Sequence, residues 1–358
     1  MRAAVYHGRA DVRLESVAEP EPGPGDVKLK VLYNGICGSD LHEIYHGPIT
    51  TRTTPHPLTG VKNPVILGHE LCGEVVTCGD DVSDLVRGDL VAVEPVETCG
   101  QCRWCKAGQY NHCPILAFHG YNRQGGGLAE YTVVRRSMAH RLPRGMTPMQ
   151  GALIEPMAVA WHTANRCRLE AGQTAAIHGA GPIGIGVYFA LKERGVKVIM
   201  VDPSPVRRAV LARLGADELI DPNSYDPIAA IRDLTGGLGA HASVDAAGVA
   251  ASFNAMLHGT RVDGTAVVVA IHHHPVVIPP FDLLMPEINI TGVAMSVRAF
   301  PSVIEGMARG SYPLEGWVET IPFENLVDLG LERLRRQEGL KILVDMGVMP
   351  RTASGVRA

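Results

Sequence analysis

Apolar and polar residues alternate along Val27–Tyr33 (VKLKVLY), the pattern of a half-buried strand. Val65–Val76 (VILGHELCGEVV), Asp89–Val96 (DLVAVEPV) and Leu128–Val134 (LAEYTVV) are further β-rich runs, broken or bounded by glycine or proline. Residues 1–154 therefore predict an irregular all-β unit of short strands and tight turns. Within it, Tyr45–Pro64 is rich in Pro, Thr and Gly and predicts a long surface loop, a kind of segment that is often functional.

From Glu155 the pattern changes. Thr174–His178 is a short apolar run, followed by glycines and a helical stretch to Arg194. Val196–Val201, Glu218–Ile220, Ala242–Asp245, Gly264–Ile271 and Ile288–Val293 predict strands. Ser204–Leu214 and Ile228–Leu234 predict helices between them. Strands with apolar residues on both faces, alternating with helices, predict a parallel sheet covered on each side. Pro301–Arg309 and Phe323–Glu338 then predict helices, and Lys341–Met346 (KILVDM) a closing strand.

Composition narrows the function classes. The 358 residues carry 33 Lys+Arg against 37 Asp+Glu, a net charge of −4. A nucleic-acid binder would show a basic excess, so no nucleic-acid partner is expected. The charge-free run Ala171–Leu191 is long enough to raise the question of a membrane span. Its glycines, Pro182 and His178 fit a strand, a turn and a helix start better. Met1–Val17 carries Arg2, Arg9, Asp11, Arg13 and Glu15 with no apolar stretch, so no signal peptide is expected. Four of the eight cysteines cluster, which points to metal rather than disulfides in a chain of this size. A cytoplasmic protein without membrane partners is expected.

Gly179-Ala180-Gly181-Pro182-Ile183-Gly184 is a G-x-G-x-x-G between a strand and a helix, and Asp202 ends the next strand 18 residues after Gly184. That context marks a dinucleotide site. The first glycine makes the turn, the second admits the pyrophosphate, and the third lets helix pack on strand. Asp202 is suited to the adenine ribose hydroxyls and repels a 2′-phosphate, which favours NAD. Arg207 and Arg208, on the following helix, weaken that preference a little, and a solvated helix face is the preferred reading of them. Ala246, Val269 and Ile271, near the ends of later strands, are further expected cofactor contacts.

Cys99-x2-Cys102-x2-Cys105-x7-Cys113 supplies four thiolates. Four cysteines fill a tetrahedral zinc and leave no position for chemistry, so a structural zinc is expected. An iron–sulfur cluster is the rival for this spacing. Elsewhere Cys37-Gly38-Ser39-Asp40-Leu41-His42, Gly68-His69-Glu70 and Glu155-Pro156 supply a thiolate, an imidazole and carboxylates, whereas a catalytic zinc needs three protein ligands and an open position.

With these motifs in this order, the chain resembles the zinc-dependent medium-chain alcohol dehydrogenases over nearly its whole length. The resemblance implies a GroES-like β-barrel catalytic domain (1–154, with a zinc lobe at 96–114), a Rossmann domain (155–296) and a return to the first domain (297–358). It implies Cys37, His69 and Glu70 as catalytic zinc ligands, with Glu155 a nearby carboxylate that ligates in some states. Ser39 and His42 resemble the proton relay, and Asp40 would orient His69. Two zinc ions, NAD and a small alcohol or ketone substrate follow, with a homodimer or homotetramer joined through the Rossmann sheet edges around Gly264–Val297. MRAAVYHGRADVRLE, PHPLTG and LIEPMAVAWH resemble the 2,3-butanediol dehydrogenase branch. Sorbitol/polyol and threonine dehydrogenases share the zinc ligands and remain alternatives. A non-catalytic protein on this fold is the remote alternative. His272-His273-His274, after the strand ending at Ile271, departs from the family; a third metal there is weighed against a polar loop.

Overall fold

Asp26–Gly35 runs through the main sheet of the first unit, with Val27, Leu29 and Val31 fully buried. The computed structural model describes residues 1–347. The sheet runs, edge to edge, Ala139–Arg141, Leu90–Val93, Glu70–Cys78, Asp26–Gly35, Lys341–Asp345 and Val318–Pro322, and Tyr131–Arg135 also pairs with Asp26–Gly35. A second sheet joins Asp11–Ser16, Arg2–Gly8 and Val65–Ile66. Irregular pairing, with register shifts after Lys28 and Val31, fits the glycine- and proline-broken strand pattern.

The second unit holds six parallel strands. In space they are ordered Glu218–Ile220, Lys197–Val201, Thr174–His178, Ala240–Asp245, Thr260–Val268 and Asn289–Gly292. The order reverses beside Thr174–His178, the doubly wound arrangement that binds ligands at the strands' carboxyl ends. Pro182, Pro205 and Pro227 each open a helix, where a missing N–H costs nothing. Ser204 and Asp226 cap two of these helices, accepting from the backbone N–H of Arg207 and Ile228.

Unit one comprises Met1–Glu155 and the chain from Val318; unit two is Pro156–Trp317. The junction expected at 296/297 is thus found at Trp317/Val318. The helix Phe300–Ala308 buries Phe300, Val303 and Met307, and Trp317 lies near Phe189, so this stretch stays with the second unit. Residues 348–358 of the expected return segment lie outside the described residues. Phe323–Glu338 is not one α-helix. It is a 3-10 turn, a π-helical stretch Leu326–Glu332 and a short α-turn. Gly330 in the wide stretch packs so closely on Ile36 that a Cβ would lie 2.7 Å from its side chain. No helix among the described residues is long and apolar enough to cross a membrane.

His178 ends its strand fully buried, with neither ring nitrogen hydrogen-bonded. Burial pushes its pKa down to about 4, only partly opposed by Asp245. The unfolded chain therefore takes up the proton first as pH falls. Stability present above about pH 6.5 is lost toward pH 4. The loss attributable to His178 between pH 7 and 5 is on the order of 2 kcal/mol. His178→Leu is expected to remove that share of the acid sensitivity, read from urea midpoints at the two pH values; an unchanged difference contradicts it.

Candidate active site

Strand pairing assembles the first site. Gly35 pairs with Glu70, which brings Cys37, two residues beyond Gly35, alongside His69 and Glu70. One donor atom from each of the three lies within 4.8 Å of the others, and His69 and Glu70 are buried. Cys37 precedes the helix Gly38–His46, and its backbone N–H donates to Asp40 Oδ2 at 3.0 Å. His69 Nδ1 is 3.4 Å from Asp40 Oδ1, and its Nε2 is 3.4 Å from Ser39 Oγ. His42 lies one helical turn from Ser39, on the same face.

The electrostatics follow from burial and pairing. Burial works against the His69 imidazolium, yet the Asp40 carboxylate holds its pKa well above the usual histidine value. Asp40, fully enclosed, is held below the usual carboxylate range against burial by His69, the Cys37 N–H and Tyr121. Burial pushes Glu155 up to about 7; His69 pulls it down and Glu70 raises it further. Glu155 borders the site but is not one of the three converging donors.

Two participants were not visible in the sequence. Lys341, fully buried, pairs with Glu70 and donates to Ile36 O at 3.0 Å. Tyr121, buried, contacts Ser39 and Asp40 and lies 5.2 Å from the His69 ring. The lysine opening KILVDM was the only signal for the first.

The four cysteines form a separate lobe. The Sγ atoms of Cys99 and Cys105, Cys102 and Cys105, and Cys99 and Cys113 are 4.0, 3.5 and 3.6 Å apart. A tetrahedron with Zn–S bonds near 2.3 Å has edges of about 3.8 Å, so the lobe fits zinc. Gly100 and Gly108, at φ +67° and +72°, make its turns. The backbone N–H groups of Gln101 and Cys102 lower the Cys99 pKa to about 6, which favours the ligating thiolate.

In the second unit the expected cofactor residues gather at the carboxyl edge of the sheet. Gly179 has φ +107°, and a side chain there would press on the Ala246 backbone at 3.0 Å. A Cβ on Gly184 would collide with Gly179 O, while one on Gly181 meets nothing, leaving room for a close backbone approach. Pro182 and Ile183 form the first helical turn behind Gly181. Asp202 Oδ2 accepts from Ala180 N at 2.7 Å and Oδ1 from Ser204 N at 2.8 Å. Arg207 Nη1 is 3.8 Å from the same carboxylate. Ala246 N donates to His178 O at 2.9 Å, and Val269 N to Asp245 O at 3.1 Å. Ile271 is exposed. His272 Nε2 lies 2.6 Å from Asp245 Oδ2, which ties the start of the histidine triplet to the sheet. The triplet is not among the metal-competent groups of the described residues.

Residues 23–144 match the family model described as "Alcohol dehydrogenase GroES-like domain", and residues 182–309 match "Zinc-binding dehydrogenase". The chain belongs to the zinc-binding alcohol dehydrogenase family. It is 37% identical over 350 residues to an (R,R)-butanediol dehydrogenase of Bacillus subtilis (strain 168), covering 96% of this chain and 99% of that one. A sorbitol dehydrogenase of the same organism is 33% identical over 314 residues, covering 87% and 86%. The crystal structure of 2R,3R-butanediol dehydrogenase from Bacillus subtilis superposes with a TM-score of 0.90 at 36% identity, over 96% and 99% of the chains. In the terms of this family, the first unit is the GroES-like part and the parallel sheet is the Rossmann part. The protein is a zinc-dependent oxidoreductase acting on CH–OH groups.

Proposed function

We propose that the protein oxidises a small secondary alcohol bearing an adjacent oxygen, a vicinal diol or α-hydroxyketone, with 2,3-butanediol and acetoin the foremost pair. The convergence of Cys37, His69 and Glu70 beside the Ser39 hydroxyl carries the reading. When bound, zinc supplies a Lewis acid that lowers the pKa of an alcohol oxygen, and NAD supplies the hydride acceptor. Cys37, His69 and Glu70 would hold the metal, and the Asp40 carboxylate fixes the His69 ring. Ser39 takes the alcohol proton, and His42 on the same helical face passes it toward solvent. Glu155 meets the second oxygen of the substrate. Glu43 accepts from Ile49 N, Thr50 N and Thr51 Oγ1, which anchors the start of the Tyr45–Pro64 loop that would limit substrate size.

The buried Asp202 carboxylate supports NAD over NADP. Like-charge repulsion with a 2′-phosphate is expected to separate the two cofactors by roughly 10²-fold in kcat/KM. Asp202→Ala is expected to shrink the gap, and equal values in the unmutated protein contradict the assignment.

A homodimer or homotetramer is also part of this reading. The edge strand Asn289–Gly292 and exposed Val277, Phe281, Leu284 and Met285 support assembly at that end of the sheet. The eight cysteines, none in a disulfide, support a cytoplasmic location. A substrate panel with NAD tests the function: butanediol stereoisomers, acetoin, sorbitol, threonine and simple alcohols. Sorbitol or threonine turning over best would move the protein to another branch of the family.

A further inference from the structure

Asp245 ends its strand fully buried, and three neighbouring pieces of chain converge on it. Oδ1 accepts from Ala247 N at 3.0 Å, Gly248 N at 3.1 Å and Ser252 Oγ at 2.8 Å, which fixes the turn after the strand and the helix beyond it. Its backbone carbonyl accepts from Val269 N and Ala270 N, both at 3.1 Å, where the chain leaves the strand Thr260–Val268. Oδ2 faces His272 Nε2 at 2.6 Å. A carboxylate only accepts, so Nε2 carries the hydrogen. The two segments also touch through their backbones: a Cβ on Gly248, at φ +76°, would lie 2.5 Å from Ile271 O. On its other side the loop has little support. Residues 269–280 form neither helix nor strand, and a hollow of about 480 Å³ lies beside them, with Phe253, His274, Val276 and Ile278 in its lining. A segment bordered by space and outside any ladder opens readily unless side chains tie it.

The sheet topology says what this edge is for. Strand order reverses beside Thr174–His178, with Asp202 following the strand on one side and Asp245 ending the strand on the other. A dinucleotide lies across such a switch point. With its adenosine half at Asp202, its nicotinamide half falls at the ends of Ala240–Asp245 and Thr260–Val268, where Ala246 and Ile271 stand. We infer that Asp245 and His272 are a pair of positioning residues, a latch that holds the Ile271 loop against the 246–249 turn and keeps the nicotinamide half of the site formed before the cofactor arrives. A loop that is already ordered does not have to be ordered at the moment of binding, and affinity rises accordingly. The first histidine of the triplet thereby gains a use that needs no third metal. The inference rests on the cofactor placement proposed above, while the order of the loop itself does not.

The test compares two variants. His272→Phe keeps a ring against Phe253, 5.8 Å away, and loses the donor; His272→Gln has an amide that can still donate. Titration of zinc-loaded protein with NADH and with adenosine monophosphate reads binding without turnover. His272→Phe is expected to weaken NADH binding about tenfold, the lower end for a hydrogen bond to a charged group. Adenosine monophosphate reports only the Asp202 half, and its affinity is expected to change less than about twofold, the usual limit for independent sites. His272→Gln is expected to recover most of the NADH loss. An unchanged NADH affinity in His272→Phe, an equal loss for adenosine monophosphate, or a glutamine variant no better than the phenylalanine one overturns the inference. Amide hydrogen exchange of the cofactor-free protein is the second readout. His272→Phe is expected to speed exchange at Val269 and Ala270 about tenfold, the same bond read as local opening, and to leave Thr174–His178 unchanged. Unchanged exchange at Val269 and Ala270 overturns the inference. If the unmutated protein does not bind NADH, the proposed cofactor site fails by that result, and hydrogen exchange alone decides the latch.

Discussion

Cys37→Ala is expected to lower turnover by at least roughly 10³-fold while leaving a folded protein that still binds NAD. The Lewis acidity of a bound metal contributes several kcal/mol to such a reaction, and each 1.36 kcal/mol is about tenfold. Cys37 is one of three converging donors among the described residues, so two of them would remain. The nearby turn is also held by the Cys37 backbone N–H on Asp40, which alanine keeps. Cys102→Ala is expected to act in the opposite sense. Its Sγ accepts from Cys105 N and lies 3.5 Å from Cys105 Sγ, so it organises the lobe rather than the reacting centre. Structural zinc contributes directly to folding, and this variant should lose thermal stability or soluble yield. Metal analysis is expected to find two zinc ions per chain in the unmutated protein and one in each variant. If both variants simply unfold, the division into a catalytic and a structural site is unsupported.

Lys341→Met is expected to cost about 3 kcal/mol of stability in metal-free protein, the usual penalty for stranding one member of a buried ion pair. Lys341 and Glu70 are each 1% exposed. No water screens them, and methionine leaves the Glu70 carboxylate without a cation. A bound zinc would again set positive charge beside that carboxylate, so the penalty should shrink in zinc-loaded protein. Urea denaturation with and without a chelator measures both. Equal losses in the two states, or a loss under about 1 kcal/mol in chelator, contradict the pairing. The same pair explains the glycine before the ligand turn. A Cβ at Gly35 would collide with the Glu70 carboxylate and with Lys341.

Local chemistry was legible where it is set by neighbours in the chain. Thr174–His178 and Glu218–Ile220 occur at the expected residues because glycine turns and helix-opening prolines bracket them. The thiol, imidazole and carboxylate types stood out through CGSDLH and GHE, and the pairing of Gly35 with Glu70 is what brings them to one place. Long-range partners were not legible. Lys341 is 271 positions from Glu70, and Tyr121 is 82 positions from Ser39, so no local pattern links them. Phe323–Glu338 read as helical because apolar residues recur at helical spacing. The close approach of Gly330 to Ile36, which goes with a wider turn, depends on a strand in a distant part of the chain. The second junction was misplaced for a similar reason, since Phe300–Ala308 looks like any amphipathic helix until its buried partners are known.

The ratio of kcat/KM for 2,3-butanediol of the favoured stereochemistry to that for 2-butanol, measured with NAD in zinc-loaded protein, tests the account most directly. The two alcohols differ only in the second oxygen. A site that hydrogen-bonds that oxygen, with Glu155 as the partner, leaves a buried polar group unpaired when the oxygen is missing, and such discrimination reaches ~10⁴-fold. The account predicts that 2-butanol is poorer by orders of magnitude; comparable values for the two alcohols would contradict it.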